Sequence, residues 1–255
     1  LRDGLSAAEK ERMAAYGADM SKYLDSGNEA RIKKAYESRD PRLQMAVITP
    51  YAQYNGASSG IAHTYTLRWP YRGSDSAEPF DIRTDTNDKF YYLWRKFVPE
   101  GLEQTERDTY GLDIPLIRYA EVLLLKAEAL NEWGSTHESE AIRCVNEVRR
   151  RAGHVELNNA TYPATKVNGQ SDLRERIRNE YYWEIGGEDS MYFHELRWGT
   201  WKDKKFDNNR NGLMQMWGET TYTWYWLGDQ CWSWPIPAKE MEMNSNLEQN
   251  EGWIN

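Results

Sequence analysis

The chain has 255 residues and a net charge of −8, which together exclude several classes of protein. A hydrophobic fraction of 40% is too high for a disordered chain, and the length allows one large domain or two small ones. Nucleic-acid binding needs clustered lysines and arginines, so this acidic chain without long runs of one charge argues against a nucleic-acid partner. Residues 1–4 do not resemble a signal peptide, and no apolar run is long enough to span a membrane.

The aromatic composition gives the first indication of function. The chain contains 12 Trp and 17 Tyr but only 5 Phe. Tryptophan and tyrosine combine a large apolar face with one polar group, which suits surfaces that bind amphipathic ligands. Large helical proteins also use tryptophan in their cores, so composition alone does not separate the two roles.

Residues 1–113 are predicted to combine helices with a long loop-rich stretch. Residues 6–23 and 28–37 have helical patterns, and residues 43–49 are predicted to form a short strand. From 51 to 109, glycine, proline, asparagine and serine interrupt any regular pattern. An irregular stretch of this length is more typical of a functional segment than of a scaffold.

Residues 114–200 carry the strongest helical signal. The first helix is predicted to start near Ile114 and to end at Gly134, and a second to end at Gly153. The apolar face of the first helix comprises Leu116, Ala120, Leu123, Leu124, Ala127 and Leu130. The small residues on this face favour close helix packing, as in a tetratricopeptide hairpin. A third helix is predicted after an N-cap at Ser171, and a shorter one over 189–196.

The tail, residues 201–255, is predicted to contain an aromatic β-hairpin. Tyr222–Leu227 and Gln230–Trp234 flank Gly228-Asp229, a dipeptide typical of two-residue hairpin turns. Both faces of this hairpin would carry aromatic side chains.

Five segments, taken in order, resemble the SusD/RagB family. The matching stretches are SRDPRL at 38–43, RYAEVLL with AEALNE across 118–132, NEVRRRAG at 146–153, NE at 179–180 with RWG at 197–199, and PIP at 235–237 followed by Glu240, Asn246, Gln249 and Asn250. The resemblance covers residues 36–255. Two positions depart from the family pattern: the family usually has ER after NE, where this chain has Tyr181, and it usually has an arginine where Met191 stands before RWG.

The resemblance implies a mostly α fold, with a tetratricopeptide-like helical scaffold, a loop-rich region and a few short strands. It also implies a surface protein that binds glycan without turnover and delivers it to a SusC-like TonB-dependent transporter. Family members are about twice as long, so the chain is expected to be a C-terminal half forming a single region. A lipid anchor on the extracellular face of the outer membrane would then lie outside this chain.

Enzymatic sites are poorly supported by the sequence. Gly56-Ala57-Ser58-Ser59-Gly60 fits the pattern of a nucleophile elbow but lacks the strand-to-helix context. The histidines show no metal-binding spacing. Glu184, Glu188 and Glu195 would have to supply a glycosidase pair, but carboxylates on helices are more often a solvated face.

A calcium site has weak support. Asp207, Asn209 and Asn211 match the first half of an EF-hand loop, but the expected acidic ligand falls on Gly218 and the sequence pattern shows no evident helix before the loop. A polar turn is the simpler interpretation, and no cofactor is otherwise expected.

The aromatic loop is the predicted ligand site. Sugar rings stack their C–H faces on Trp and Tyr, while amide and cationic groups at the rim bind the hydroxyls. The predicted ligand-binding residues are Tyr54, Asn55, Trp69, Tyr71 and Arg72, with Trp224 and Trp226 as a second platform or as core. Two alternatives remain open: a peptide-binding member of the same family, and a tetratricopeptide-type interaction scaffold.

Overall fold

A computed structural model describes residues 34, 36–37, 39–49, 51–58, 61–67, 81–82, 93–101, 113–188, 190–206 and 226–253. The chain divides into two compact units, Leu1–Met191 and Tyr192–Asn255. The mostly helical architecture expected from the sequence is confirmed, and the described strands are few and short.

In unit 1, helix α1 spans Pro41–Ala46, where the sequence pattern predicted a strand. That prediction is wrong because Asp40-Pro41 is a helix start. The Asp40 carboxylate accepts the backbone N–H of Arg42 at 2.9 Å, and Pro41 occupies a first-turn position that needs no N–H donor. The extended part is limited to β1, Val47–Ile48.

Part of the stretch predicted to be irregular forms strands. Strands β2 (Gln53–Ser58) and β3 (Ile61–Leu67) make an antiparallel hairpin, and β4 (Asp81–Ile82) pairs parallel to β3. Strand β5 (Leu93–Trp94) pairs with β1. Because β3 carries β-branched and aromatic residues, its strand propensity outweighs the polar residues that suggested a loop.

Three long helices form the scaffold of unit 1: α2 (Tyr119–Trp133), α3 (Glu138–Arg151) and α4 (Gln170–Glu184). The first two make the predicted tetratricopeptide-like hairpin across a short 3₁₀ turn at Ser135–His137. The apolar faces of the three helices meet in a core that includes Leu124, Ala127, Val145, Leu173, Ile177 and Tyr181, all at most 1% exposed.

The predicted helix boundaries need two corrections. Helix α2 starts at Tyr119, and Leu116 lies before it with 90% of its surface exposed, so it belongs to no core face. Helix α4 is capped by Gly169 in a left-handed conformation (φ 87°) rather than by Ser171. The carboxylate of Asp172 in the first turn accepts the N–H of Asn168, the residue before the cap, at 2.8 Å.

Unit 2 contains the short helices α6 (Trp201–Lys205) and α7 (Ala238–Met243), and helix α5 (Ser190–Arg197) crosses the boundary between the units. The predicted aromatic hairpin is wrong in its described part, because Asp229–Trp232 form a 3₁₀ helix where the second strand was expected. Gly228 precedes this turn, and its carbonyl accepts the N–H of Cys231 at 3.0 Å.

Candidate functional site

The predicted ligand residues Tyr54 and Asn55 lie side by side on β2 but have different environments. Tyr54 is 6% exposed, and its hydroxyl donates to the carbonyl of Pro99 at 2.6 Å. A buried ring with a bonded hydroxyl anchors the hairpin and does not offer a face to a sugar, so Tyr54 is removed from the proposed site. Asn55 is exposed, and its side-chain oxygen accepts from the Thr64 hydroxyl at 3.2 Å.

Most of the other residues predicted for the loop, the second aromatic platform and the calcium site lie outside the described part of the chain. These are Trp69, Tyr71 and Arg72 of the loop, Trp224 of the second platform, and the calcium candidates Asp207, Asn209 and Asn211. Their roles remain predictions. The GxSxG segment is described up to Ser58, and its described residues, Gly56 to Ser58, lie on β2 and pair with β3.

Trp226 belongs to an aromatic cluster within unit 2. Its ring centroid lies 5.6 Å from that of Trp201, 5.3 Å from Phe206 and 5.1 Å from Trp232. The indole N–H donates to the carboxylate of Asp229 at 3.2 Å. These contacts favour the core interpretation of Trp226.

The closing motif of unit 2 has a structural explanation. The Gln249 side chain accepts the N–H of Ile236 at 2.7 Å and donates to the carbonyl of the same residue at 2.9 Å. Asn250 donates to the carbonyl of Trp234 at 2.6 Å. The two amides therefore hold residues 234–236 against residues 249–250, which explains the spacing between the two halves of the motif.

A buried network of ion pairs in unit 1 joins the other motif segments, and it was not predicted as a unit. Its first centre is Glu180 on α4, whose side chain is fully buried. One carboxylate oxygen lies 2.7 Å from Arg42, and the other accepts from Arg149 at 2.8 Å. Glu180 thus has two arginine partners, while Tyr181, at the position that departs from the family pattern, fills the core.

The second centre is Glu184, one helical turn along α4. Its carboxylate accepts from Arg42 at 3.1 Å and from Arg118 at 3.0 Å, and it also pairs with Arg151. One carboxylate that is 3% exposed thus contacts three guanidinium groups from three different parts of the chain. It links helices α1, α3 and α4 with the segment before α2.

The third centre is Glu188, which follows α4. It binds Arg118 through both carboxylate oxygens, with distances of 2.7 to 3.1 Å, and it pairs with Lys96. The ammonium of Lys96 also donates to the carbonyls of Glu184 and Gly186 at 3.0 and 3.2 Å. Burial acts to raise the pKa of Glu188, but Arg118 and Lys96 outweigh it and lower that pKa.

This geometry opposes the glycosidase interpretation. A general acid needs a raised pKa and access to its substrate, whereas Glu188 has a lowered pKa and a side chain only 7% exposed. Glu184 is equally enclosed by arginines, and Glu195 is buried in unit 2. The described residues also contain no cluster of three His, Cys, Asp or Glu side chains suited to a metal ion.

His154 lies at the edge of the network, with its Nδ1 3.9 Å from the Asp40 carboxylate. Burial and the charge of Arg149 lower the pKa of His154, and the opposing attraction of Asp40 does not restore it. Burial alone would raise the pKa of Asp40, but its hydrogen bonds to Arg42 lower it. The imidazole is therefore held in its neutral form more strongly than in an unfolded chain.

We expect the stability of unit 1 to fall as the pH decreases from 7 to 5, partly because of His154. Below its ordinary pKa of about 6.5 the unfolded chain binds a proton at this position more readily than the folded chain, so protonation favours unfolding. His154→Gln removes this term and should flatten the thermal midpoint between pH 7 and pH 5. Two parallel pH profiles for wild type and variant would contradict the assignment.

A cleft of about 250 Å³ opens over the network. Four cationic side chains line it: Arg42, Lys96, Arg118 and Arg151. The rest of the lining consists of the rings of Phe97 and Trp183 together with Met45, Ala46 and Glu184. Trp183 is 47% exposed, and its ring is flanked by the Arg149 guanidinium at 5.9 Å and by the edge of His154 at 6.0 Å. No sequence signal singled out Lys96 or Trp183, because their role depends on segments far apart in the chain.

The fold by itself is similar to solved structures of one class of protein. A SusD-like protein from Bacteroides fragilis superposes with a TM-score of 0.57, at 22% identity, over 96% of this chain and 46% of its own. A SusD homolog from Bacteroides thetaiotaomicron superposes with a TM-score of 0.53 over 84% of this chain and 41% of its own, also at 22% identity. The fold is thus that of SusD-like proteins.

The chain belongs to the SusD family, whose model matches residues 11–253. SusD-like protein P38 of Formosa agariphila is 32% identical over 139 residues, which is 54% of this chain and 24% of that protein. Starch-binding protein SusD of Bacteroides thetaiotaomicron is 28% identical over 161 residues, 63% of this chain and 25% of its own length.

The matched region therefore spans about a quarter of each of these two relatives. The SusD family consists of binding proteins rather than enzymes, and it is associated with the outer membrane. Among the described helices, none has the length and apolarity required to cross a membrane.

Proposed function

We propose that the protein carrying this chain is a surface glycan-binding component of a SusC/SusD-type uptake system. It captures oligosaccharide and passes it without turnover to a TonB-dependent transporter, from a lipid-anchored position on the outer membrane. The observation that carries the proposal is membership of the SusD family over residues 11–253, with a relative named as a starch-binding protein.

Capture without turnover agrees with the chemistry of unit 1. Glu180, Glu184 and Glu188 are buried and paired with cations, so they stabilise the fold instead of presenting a reactive carboxylate. The proposed ligand contacts are aromatic stacking by Trp69 and Tyr71, with Asn55 and Arg72 binding hydroxyl groups at the rim. Stacking on a sugar ring and a few rim hydrogen bonds provide binding without chemical activation of the ligand.

Trp69→Ala is expected to weaken glycan binding about tenfold, which corresponds to about 1.4 kcal/mol for one stacking platform. The intact protein would be titrated by calorimetry with a panel of neutral and acidic oligosaccharides and with short peptides. Trp133→Ala is the matched control, because Trp133 is 75% exposed and stacks only on His137 among the described rings.

The outcomes separate the proposal from its alternatives. Equal losses in the two variants would remove the loop from the binding site. Binding of peptides with no binding of any glycan would replace the proposal by the peptide-binding alternative. A partner protein that binds wild type and Trp69→Ala equally, in the absence of any small ligand, would favour the interaction scaffold.

A further inference from the structure

The cleft over the ion-pair network presents positive charge to solvent although the protein is acidic overall. The side chain of Arg151 is 59% exposed, and those of Arg118 and Lys96 are 27% and 21% exposed. The carboxylates that pair with them lie underneath, since Glu184 and Glu188 are 3% and 7% exposed. A ligand entering the cleft therefore meets cations before it meets carboxylates.

Among the cationic side chains of the cleft, Arg151 has the most N–H groups without a hydrogen-bond partner in the described part of the chain. Within the described part of the chain it donates through Nη2 alone, to Glu184. By contrast, Lys96 has three oxygen partners and Arg118 donates through all three nitrogens. A planar guanidinium with free N–H groups is well suited to bind a carboxylate or sulfate, which accepts two parallel hydrogen bonds.

The cleft also has an aromatic residue in its lining. Trp183 offers an indole that is 47% exposed, with the Arg149 guanidinium over its ring at 5.9 Å and the His154 ring in a T-shaped contact at 6.0 Å. Such a ring stacks on the C–H face of a pyranose. The cleft volume of about 250 Å³ lies just below the range of about 300 to 1,000 Å³ that is usual for small-molecule sites, which suits a single sugar unit.

From this combination we infer that the cleft is a subsite for an anionic sugar unit, a pyranose that carries a carboxylate or a sulfate. Arg151 binds the anionic group, and Trp183 stacks on the ring. The inference rests on the proposed glycan-binding function and adds a preference for acidic over neutral chains. It uses residues different from those of the aromatic loop.

The test is calorimetry on the intact protein with trigalacturonic acid, a sulfated tetrasaccharide and maltotriose, each at 50 and 500 mM NaCl. The expected result is at least tenfold tighter binding of one of the acidic probes than of maltotriose at low salt, and a smaller preference at high salt because salt screens exposed charges. The two acidic probes distinguish a carboxylate from a sulfate.

Arg151→Gln should abolish the preference, and Arg151→Lys should retain part of it because the charge remains while the planar donor pair is lost. Trp183→Leu should weaken binding of the acidic probe about tenfold. Arg150→Gln is the matched control. Arg150 directly precedes Arg151 on α3, its side chain is 64% exposed, and it pairs with Glu156. Thermal midpoints verify that each variant is folded.

Equal binding of acidic and neutral probes would overturn the subsite and leave glycan capture intact, whereas no binding of any probe would overturn both. A preference that survives in Arg151→Gln, or that is lost equally in Arg150→Gln, would also overturn it, since the charge would then act from elsewhere. Competition by an acidic peptide with equal affinity would exclude the sugar-specific assignment.

Discussion

Glu180→Gln is expected to lower the free energy of unfolding by about 3 to 5 kcal/mol, the cost that follows when one partner of a buried ion pair is removed. The substitution keeps the size of the side chain but removes its charge. Arg42 retains Asp40 and Glu184 as partners. Arg149 has a side chain only 7% exposed and keeps the carbonyl of Val155, a neutral acceptor that cannot balance its charge.

The measurement is urea unfolding of wild type and variant, monitored by tryptophan fluorescence. Glu132→Gln is the matched control, because Glu132 forms a bidentate pair with Arg174 at 2.6 and 2.7 Å while its side chain is 45% exposed. An exposed pair contributes at most about 1 kcal/mol. If the two substitutions cost the same, burial of the network does not govern its contribution to stability.

A second substitution isolates the charge itself. Arg149→Met in the Glu180→Gln background removes the unpaired cation and replaces it with an apolar side chain of similar length. The double variant should be more stable than Glu180→Gln alone, because the remaining cost of a buried charge disappears. Additive losses would indicate that the two residues stabilise the fold independently, through packing.

Leu124→Ala is expected to lower the free energy of unfolding by about 3 to 5 kcal/mol through the cavity left in the core of the three long helices. Leu124 is 0% exposed on α2. Its neighbour Leu125 is 41% exposed on the same helix, so Leu125→Ala removes the same atoms with little effect on packing. The same urea titration measures both variants.

We expect the cost of Leu125→Ala to stay below about 1 kcal/mol, in the range of substitutions away from the core. Equal costs for the two leucines would mean that the exposed face of α2 is packed against something in the intact protein, and the core would then extend beyond unit 1.

The sequence by itself determined the family and the helical scaffold. Helices α2, α3 and α4 have apolar residues at helical spacing over four turns, and long periodic patterns are the most reliable signal that a single sequence carries. The left-handed Gly153 at the end of α3 was readable for the same local reason. The start of α1 was equally readable in Asp40-Pro41, but the β-branched residues that follow it favoured a strand.

Only the tertiary structure decided how the motif residues act. Arg42, Arg118 and the α3 pair Arg149 and Arg151 come from three separate segments. No spacing rule predicts that they contact Glu180 and Glu184 on α4 and Glu188 just after it. The aromatic tail is a similar case, since Asp229 of the 3₁₀ helix binds Lys202 on α6, which lies 27 residues earlier in the chain. The physical reason is common to both: local propensity depends on a few neighbouring residues, whereas ion pairing and burial depend on segments that only the folded chain brings together.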